Sequence, residues 1–253
     1  MQALDRDAAL EEALARPFYH TIELAPGRRT QGAIDLEEVA DRVLPADLAG
    51  KCALDVGTFD GFWAFEMERR GAQVTAVDLD DHEASDWPPI NRERLAEEVR
   101  STGVKPGDRF WLVHAALGSS VTRIGSSIYE LSAEKLGGTF DLVFMGDLLL
   151  HLRDPVLGLE RARGVLRRNG KLVSVEPVEL GLSILHPRKP TYRLRALYTP
   201  FDWYVPNRAG RRASLLLAGF TELEQSRPFG VRAVKTMRQW HDAIEAGPGA
   251  ADD

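Results

Sequence analysis

The sequence predicts an α/β fold: a doubly wound, mostly parallel sheet with an N-terminal helical cap and a C-terminal antiparallel hairpin. Three observations predict it. Ala53-Leu54-Asp55-Val56 is an apolar run ending just before Gly57, and Trp63 to Arg70 is amphipathic, so residues 52–70 read as strand, tight turn and helix. Strand and helix patterns then alternate to about residue 176, which argues for parallel strands joined by crossover helices. Finally, Thr221–Ser226 and Val231–Met237 flank Arg227-Pro228-Phe229-Gly230, a hairpin signal.

Residues 1–50 stand apart as the cap. Leu4, Ala8, Leu10, Ala13 and Leu14 recur at helical spacing until Pro17 stops the helix. Phe18 to Leu24 is a short extended run, followed by a turn at Pro26-Gly27. Asp35 with Glu38 in the capping-box position opens a helix to Leu44, and Pro45 closes it.

The domain proper spans 51–240. Strand one is 52–56, its helix 61–70, and strand two 73–78. A polar loop over 80–89 precedes a helix at 91–101. Phe110 to Ala116 reads as strand three, Thr139 to Met145 as strand four. Pro155 to Arg168 is a helix with Asn169-Gly170 as its C-cap, and Lys171 to Glu176 is strand five. Residues 177–212 break the rhythm with Pro177, Pro187, Pro190, Pro200 and Pro206 and with Tyr192, Tyr198, Phe201, Trp203 and Tyr204. A long loop of that composition reads as a substrate-side insertion. Arg211 to Ala218 returns to helix. The last residues, 241–253, read as a flexible tail.

Composition narrows the function. With 253 residues, 44% hydrophobic and 28% charged, the chain can bury one large α/β core. A net charge of −6 argues against a broad nucleic-acid footprint, though a local basic patch could survive it. The single cysteine, Cys52, excludes an internal disulfide framework and a Cys-rich zinc site, and the six histidines show no paired ligand spacing, so no metal is expected. No apolar run reaches the length of a membrane span, and the acidic N-terminus is no signal peptide, so the cytoplasm is the expected compartment.

The chemistry centres on Leu54 to Trp63. Gly57 and Gly61 let the backbone turn sharply and approach a ligand. Asp78 ends strand two roughly 20 residues beyond the turn, the spacing at which a carboxylate takes a ribose diol. A dinucleotide fingerprint needs glycine where Phe59 stands. Asp55, two residues before Gly57, would repel a pyrophosphate but favour a cation. S-adenosylmethionine (SAM), with its sulfonium and ammonium, therefore fits better than NAD; the bland alternative is an ordinary βα turn. Gly146 and Asp147 follow strand four at the carboxyl edge, where open α/β sheets bind ligands. Asp147 would face the cofactor's ammonium or merely cap the next turn.

Phe18-Tyr19-His20-Thr21-Ile22-Glu23-Leu24, Leu54 to Trp63, Ile128-Tyr129-Glu130-Leu131, Gly146 to Pro155 and Asp202-Trp203-Tyr204-Val205-Pro206-Asn207 together resemble the family of class I SAM-dependent methyltransferases that includes the bacterial tRNA wobble-uridine carboxymethyl transferase and its shorter relatives. The resemblance spans roughly residues 17–220. It implies a Rossmann-like, seven-stranded sheet, SAM as cofactor, and an adenine-contacting turn at Ile128 and Tyr129. No counterpart of the tRNA enzyme's long N-terminal domain is expected. Leu150 stands where that enzyme has a tyrosine, and a basic pocket for a carboxylated SAM is not evident, so plain SAM is expected.

His151, one turn beyond strand four, is the first candidate base, since histidine accepts protons near neutrality. Its alternative is a packing role before the helix at Asp154. His20, carried by the cap, is the second candidate, although a surface loop histidine is the slightly favoured reading; His186 in the insertion is a third and is assigned to the substrate side. Trp203 and Tyr204 would wall an acceptor or anchor the loop. Arg188, Lys189, Arg193 and Arg195 are a solvated face or a grip on an acidic group. The expected reaction is methyl transfer to oxygen or nitrogen of a small-molecule acceptor. The alternatives are a tRNA wobble nucleotide and a module that binds SAM without turnover.

Overall fold

The computed structural model describes residues 5–231 and 239–247. The cap opens with α1 (Arg6–Ala15), whose first turn is closed by the Asp5 carboxylate accepting from the Ala8 N–H at 3.3 Å. Four short strands follow, β1 (Pro17–His20), β2 (Glu23–Ala25), β3 (Arg28–Arg29) and β4 (Gln31–Ile34), and then α2 (Glu37–Val43). The cap is therefore mixed rather than helical. β1 lies parallel to β4, with Phe18 opposite Gly32 and His20 opposite Ile34. Phe18 and His20 face inward while Pro17 and Tyr19 face outward, as strand alternation requires.

The domain that follows comprises β5 (Cys52–Val56), α3 (Phe62–Arg69), β6 (Gln73–Asp78), α4 (Pro89–Thr102), α5 (Asp108–Leu117), β7 (Thr122–Gly125), α6 (Ala133–Leu136), β8 (Phe140–Gly146), α7 (Pro155–Gly164), β9 (Leu166–Pro177), α8 (Leu180–Leu185), β10 (Tyr192–Leu194), β11 (Tyr204–Pro206), α9 (Arg208–Leu217), β12 (Glu222–Gln225), β13 (Phe229–Val231) and β14 (Gln239–Gly247). Strands β9, β8, β5, β6 and β7 are mutually parallel neighbours, and β14 joins β9 antiparallel. Apolar residues on both faces explain the near-continuous hydrophobic runs. Leu142 and Phe144 of β8 pack with α3, α5 and the cap; Val143 and Met145 pack with α7 and α9.

Five expectations are corrected in whole or in part. Residues 110–116 form α5, not a strand: Phe110, Val113 and Ala116 are buried at helical spacing, and Gly107 and Gly118 bound the helix with left-handed φ. The third parallel strand is β7, a short half-exposed edge strand with little apolar signal. The helix from Pro155 ends at Gly164, and Asn169, at φ 64°, lies inside β9, where the pairing with β8 shifts register. The C-terminal antiparallel hairpin is present, but its strands differ: of the expected partner of 221–226, Val231–Met237, residues 232–237 lie outside the described residues, and β12 pairs with β14, Glu222 opposite Gly247. Residues 241–247, expected as tail, are strand, because the open edge of β9 supplies the backbone partners that composition does not reveal; residues 248–253 lie outside the described ones. Since β12 and β13 both pair with β14, the described residues form an eight-stranded sheet where seven strands are expected.

The parallel strands end in register. Val56 lies beside Val77 and Met145, Asp78 beside Gly125, and Gly146 beside Val175. Among the described residues no helix is long and apolar enough to cross a membrane.

Candidate functional site

The turn after β5 is held by its own backbone. The Gly57 N–H donates to Val77 O at 2.8 Å, the Gly61 N–H to Thr58 O at 2.8 Å. Gly57 and Gly61 take φ of 78° and 92°, and Phe59 between them is also left-handed at 51°. A Cβ at Gly61 would overlap Phe65, and one at Gly57 would press on Leu148 at 3.1 Å. The left-handed φ favours glycine at both positions, and at Gly61 the lack of space does so as well.

Asp78 completes the turn. Its Oδ2 accepts from the Phe59 N–H at 2.7 Å and its Oδ1 from the Leu79 N–H at 2.8 Å. Burial pushes its carboxyl up, against the pull of those two donors. Each oxygen keeps a second lone pair for a ligand hydroxyl. Asp55 lies on β5 beneath the turn, almost fully buried. Its Oδ2 has no hydrogen-bond partner among the described residues. Burial pushes its carboxyl up to about 7; Asp78 adds to this, while Thr58 and His20 oppose it. A buried carboxylate with an unmatched oxygen, set against a glycine turn, fits a cationic ligand and would repel a pyrophosphate. These residues therefore fit SAM.

Asp147 follows β8 with φ of 48°, its N–H donating to Val175 O at 2.9 Å. A Cβ at Gly146 would press on the Phe144 ring and the Trp63 indole, each at 3.0 Å. Ile128 is buried. The Tyr129 hydroxyl donates to Asp86 Oδ2 at 2.7 Å and accepts from the Asp154 N–H at 3.0 Å. Asp86 Oδ2 also accepts from the Arg153 N–H at 2.7 Å, and its carbonyl from the Trp203 indole. One residue thus ties the β6–α4 loop to the 128–130 turn, the approach to α7 and the insertion.

The two candidate bases sit differently. His20 is buried with its Nδ1 2.6 Å from Asp60 Oδ1, and its own N–H donates to Asp60 Oδ2 at 2.9 Å. It reaches the glycine turn from the cap. His151 is more open, its Nδ1 3.2 Å from Phe201 O and 3.4 Å from Asp202 Oδ1. Burial, reinforced by the charges of Asp147, Asp60 and Asp202, pushes the Tyr19 hydroxyl up to about 12. Asp55, Gly57, Gly61, Asp78, Gly146, Asp147 and His20 are thus brought to one edge of the sheet, and Asp202, 3.4 Å from His151 Nδ1, is one of the acids that act on Tyr19.

The aromatic residues of the insertion tie it to the rest of the domain. The Trp203 and Tyr204 polar tips donate to Asp86 O and Arg153 O. Tyr204 also lines a small apolar cleft with Leu149, Leu150, Tyr192 and Pro206, floored by Glu176 and Arg211. His186 ends α8, its carbonyl accepting from Asn207 Nδ2 at 2.8 Å, which ties it to the insertion rather than to the sheet edge. Arg193 and Arg195 lie 3.5 and 3.4 Å from Glu179. Asp60, Asp202 and Tyr19 carry no sequence signal of their own beyond adjacency: Asp60 to the glycines, Asp202 to Trp203, Tyr19 to His20.

Residues 29–213 match the family model described as "Methyltransferase domain". The ubiquinone biosynthesis O-methyltransferase of Xanthomonas euvesicatoria pv. vesicatoria (strain 85-10) is 32% identical over 139 residues, 55% of this chain and 47% of the relative. The tRNA U34 carboxymethyltransferase of Pseudomonas aeruginosa (strain LESB58) is 29% identical over 186 residues, 72% of this chain and 49% of the relative. The chain spans about half the length of these curated relatives. Among solved structures, the N-terminal domain of EvdMO1 with SAH bound superposes with a TM-score of 0.59 at 20% identity, covering 96% of this chain and 97% of that one, a likeness of fold. With the model match running through the glycine turn, Asp78 and the insertion, the chain belongs to the methyltransferase-domain family.

Proposed function

We propose that the protein is a SAM-dependent methyltransferase acting on oxygen or nitrogen of a small-molecule acceptor. The observation that carries this reading is Asp55: a buried carboxylate with one unmatched oxygen beside two glycines of left-handed φ. It suits a ligand bearing positive charge. SAM, when bound, supplies a methyl group already activated on a sulfonium. Asp78, pre-set by two backbone donors, takes the ribose hydroxyls. Asp55 and Asp147 supply the negative side of the site, and Ile128 and Tyr129 border the base. The chain's remaining task is to orient the acceptor and exclude water. The insertion, pinned at Asp86, supports that role. A relative named for O-methylation in ubiquinone biosynthesis supports the small-molecule acceptor.

The tRNA reading is favoured by one observation, the longer alignment with the tRNA relative. Against it, two of the four cations of the basic run lie against Glu179. Calorimetry with SAM, S-adenosylhomocysteine and NAD tests the cofactor; tight NAD binding without SAM binding overturns the reading. Labelled SAM incubated with total tRNA and with a small-molecule extract tests the acceptor. Label is expected in the small-molecule fraction. Label in RNA that falls steeply with salt, as phosphate contacts require, would favour tRNA.

A further inference from the structure

Resting on the methyl-transfer reading above, we propose that the acceptor group is a hydroxyl and that its proton is taken by His20 Nε2, with Asp60 positioning the ring. Asp60 lies inside the glycine turn and is 1% exposed. It faces His20 through both oxygens, one to the backbone N–H and one to Nδ1. The Phe62 N–H, at 3.5 Å, lies on the Nδ1 side. A carboxylate only accepts, so the contact places a proton on Nδ1 and leaves the Nε2 lone pair unused. Nε2 has no hydrogen-bond partner among the described residues, and the side chain keeps 11% of its surface open.

The contact is built from both sides. Gly32 lets β4 run against β1 at His20: a Cβ there would overlap the Thr21 nitrogen and the His20 carbonyl carbon. Asp60 is fixed by the same turn that the Phe59 N–H fastens to Asp78. The base is thus tied to the cofactor turn, whereas His151 is held by longer contacts and is 43% exposed. Tyr19, its neighbour on β1, carries a hydroxyl that also has no partner among the described residues and that burial, with the surrounding acids, keeps protonated. It can donate to an acceptor oxygen.

This constellation suits a hydroxyl acceptor. A neutral amine presents its lone pair without assistance, while a hydroxyl becomes a good nucleophile only as its proton leaves. In the step, the O–H proton passes to Nε2. The O–CH₃ bond forms as the S–CH₃ bond breaks with its electron pair left on sulfur. The positive charge moves from the sulfonium to the imidazolium, which Asp60 stabilises, and the proton is released to water with the product.

The test begins with ¹⁵N-histidine NMR of the free full-length protein. His20 is expected as the Nδ1–H tautomer with a bare Nε2, a signature that D60N removes. Nε2–H at His20 in the wild type overturns the proposal. Labelled SAM with catechol and with aniline then tests the acceptor class. Label in catechol that falls by at least a hundredfold in kcat for H20A, with the SAM dissociation constant within about threefold, supports it. Label transferred to aniline alone, or a hundredfold loss in H151A with less than tenfold in H20A, overturns it while the methyl-transfer reading stands. Failure of the wild type to bind SAM overturns both.

Discussion

The Phe59 backbone N–H and the Asp78 carboxylate meet at 2.7 Å and fasten the glycine turn to the end of the neighbouring strand. The residue expected to hold ribose is therefore also a brace for the turn. Asp78→Ala should weaken SAM binding by about 1.5–3 kcal/mol, the range for hydrogen bonds to a charged group. It should lower thermal stability as well, because two backbone donors lose their acceptor. Calorimetry and thermal melts on the same preparation check both effects; an unchanged dissociation constant would remove Asp78 from the site.

Asp55 makes stability depend on pH in an unusual direction. Its carboxyl is raised from 3.8 to about 7 in the fold, so the folded state holds a proton that the unfolded state has released. Stability contributed by that proton is full below about pH 4 and is lost as pH rises to about 7. Glu176, fully buried and raised from 4.5 to about 8, acts in the same sense over a slightly higher window. Urea melts of the free protein should show midpoints falling between pH 5 and 8, with a shallower fall in Asp55→Asn. SAM binding, which favours the ionised carboxylate, should release protons near pH 7, readable as a buffer-dependent enthalpy.

Gly32→Ala should strike β1 at His20. The added methyl has backbone on its far side, which cannot swing away as a side chain can. A cost of about 1–3 kcal/mol is expected from overpacking. The ring should also lose its Asp60 contact, so the NMR tautomer signature of His20 should change while SAM affinity falls little. A variant with wild-type melting temperature and wild-type tautomer would contradict the close approach.

Asp86→Ala should loosen the insertion. Its carboxylate serves the Tyr129 hydroxyl and the Arg153 N–H at one oxygen. Losing it leaves both donors without an acceptor, at about 1–3 kcal/mol. Limited proteolysis should cut residues 187–203 faster than in the wild type. Equal cleavage rates would mean that the contacts of Asn91 with Ala196 O and Pro200 O hold the segment alone.

The strand-and-turn pattern from Cys52 to Asp78 was legible because its signals are local. An apolar run, two glycines with positive φ and an acid at a strand end each act within a few residues. Residues 110–116 misled for a related reason. Phe110, Leu112 and Val113 form a short apolar run that reads as strand or helix alike, and only the left-handed glycines at both ends, together with packing against α1, decide for helix. The tail misled because β14 draws its stability from the edge of β9, not from its own composition.

By itself the sequence determined the parallel α/β core, the glycine turn, Asp55 and Asp78, since backbone conformation and strand periodicity are short-range properties. Which histidine is paired to a buried carboxylate, and that Tyr19 lies within reach of three acids, was decided only by tertiary structure. His20 and Asp60 are 40 residues apart and come together because Gly32 admits one backbone against another. The charges that act on Tyr19 come from the turn after β5, the turn after β8 and the insertion. Contacts of that kind depend on how elements pack, and no local pattern of residues encodes them.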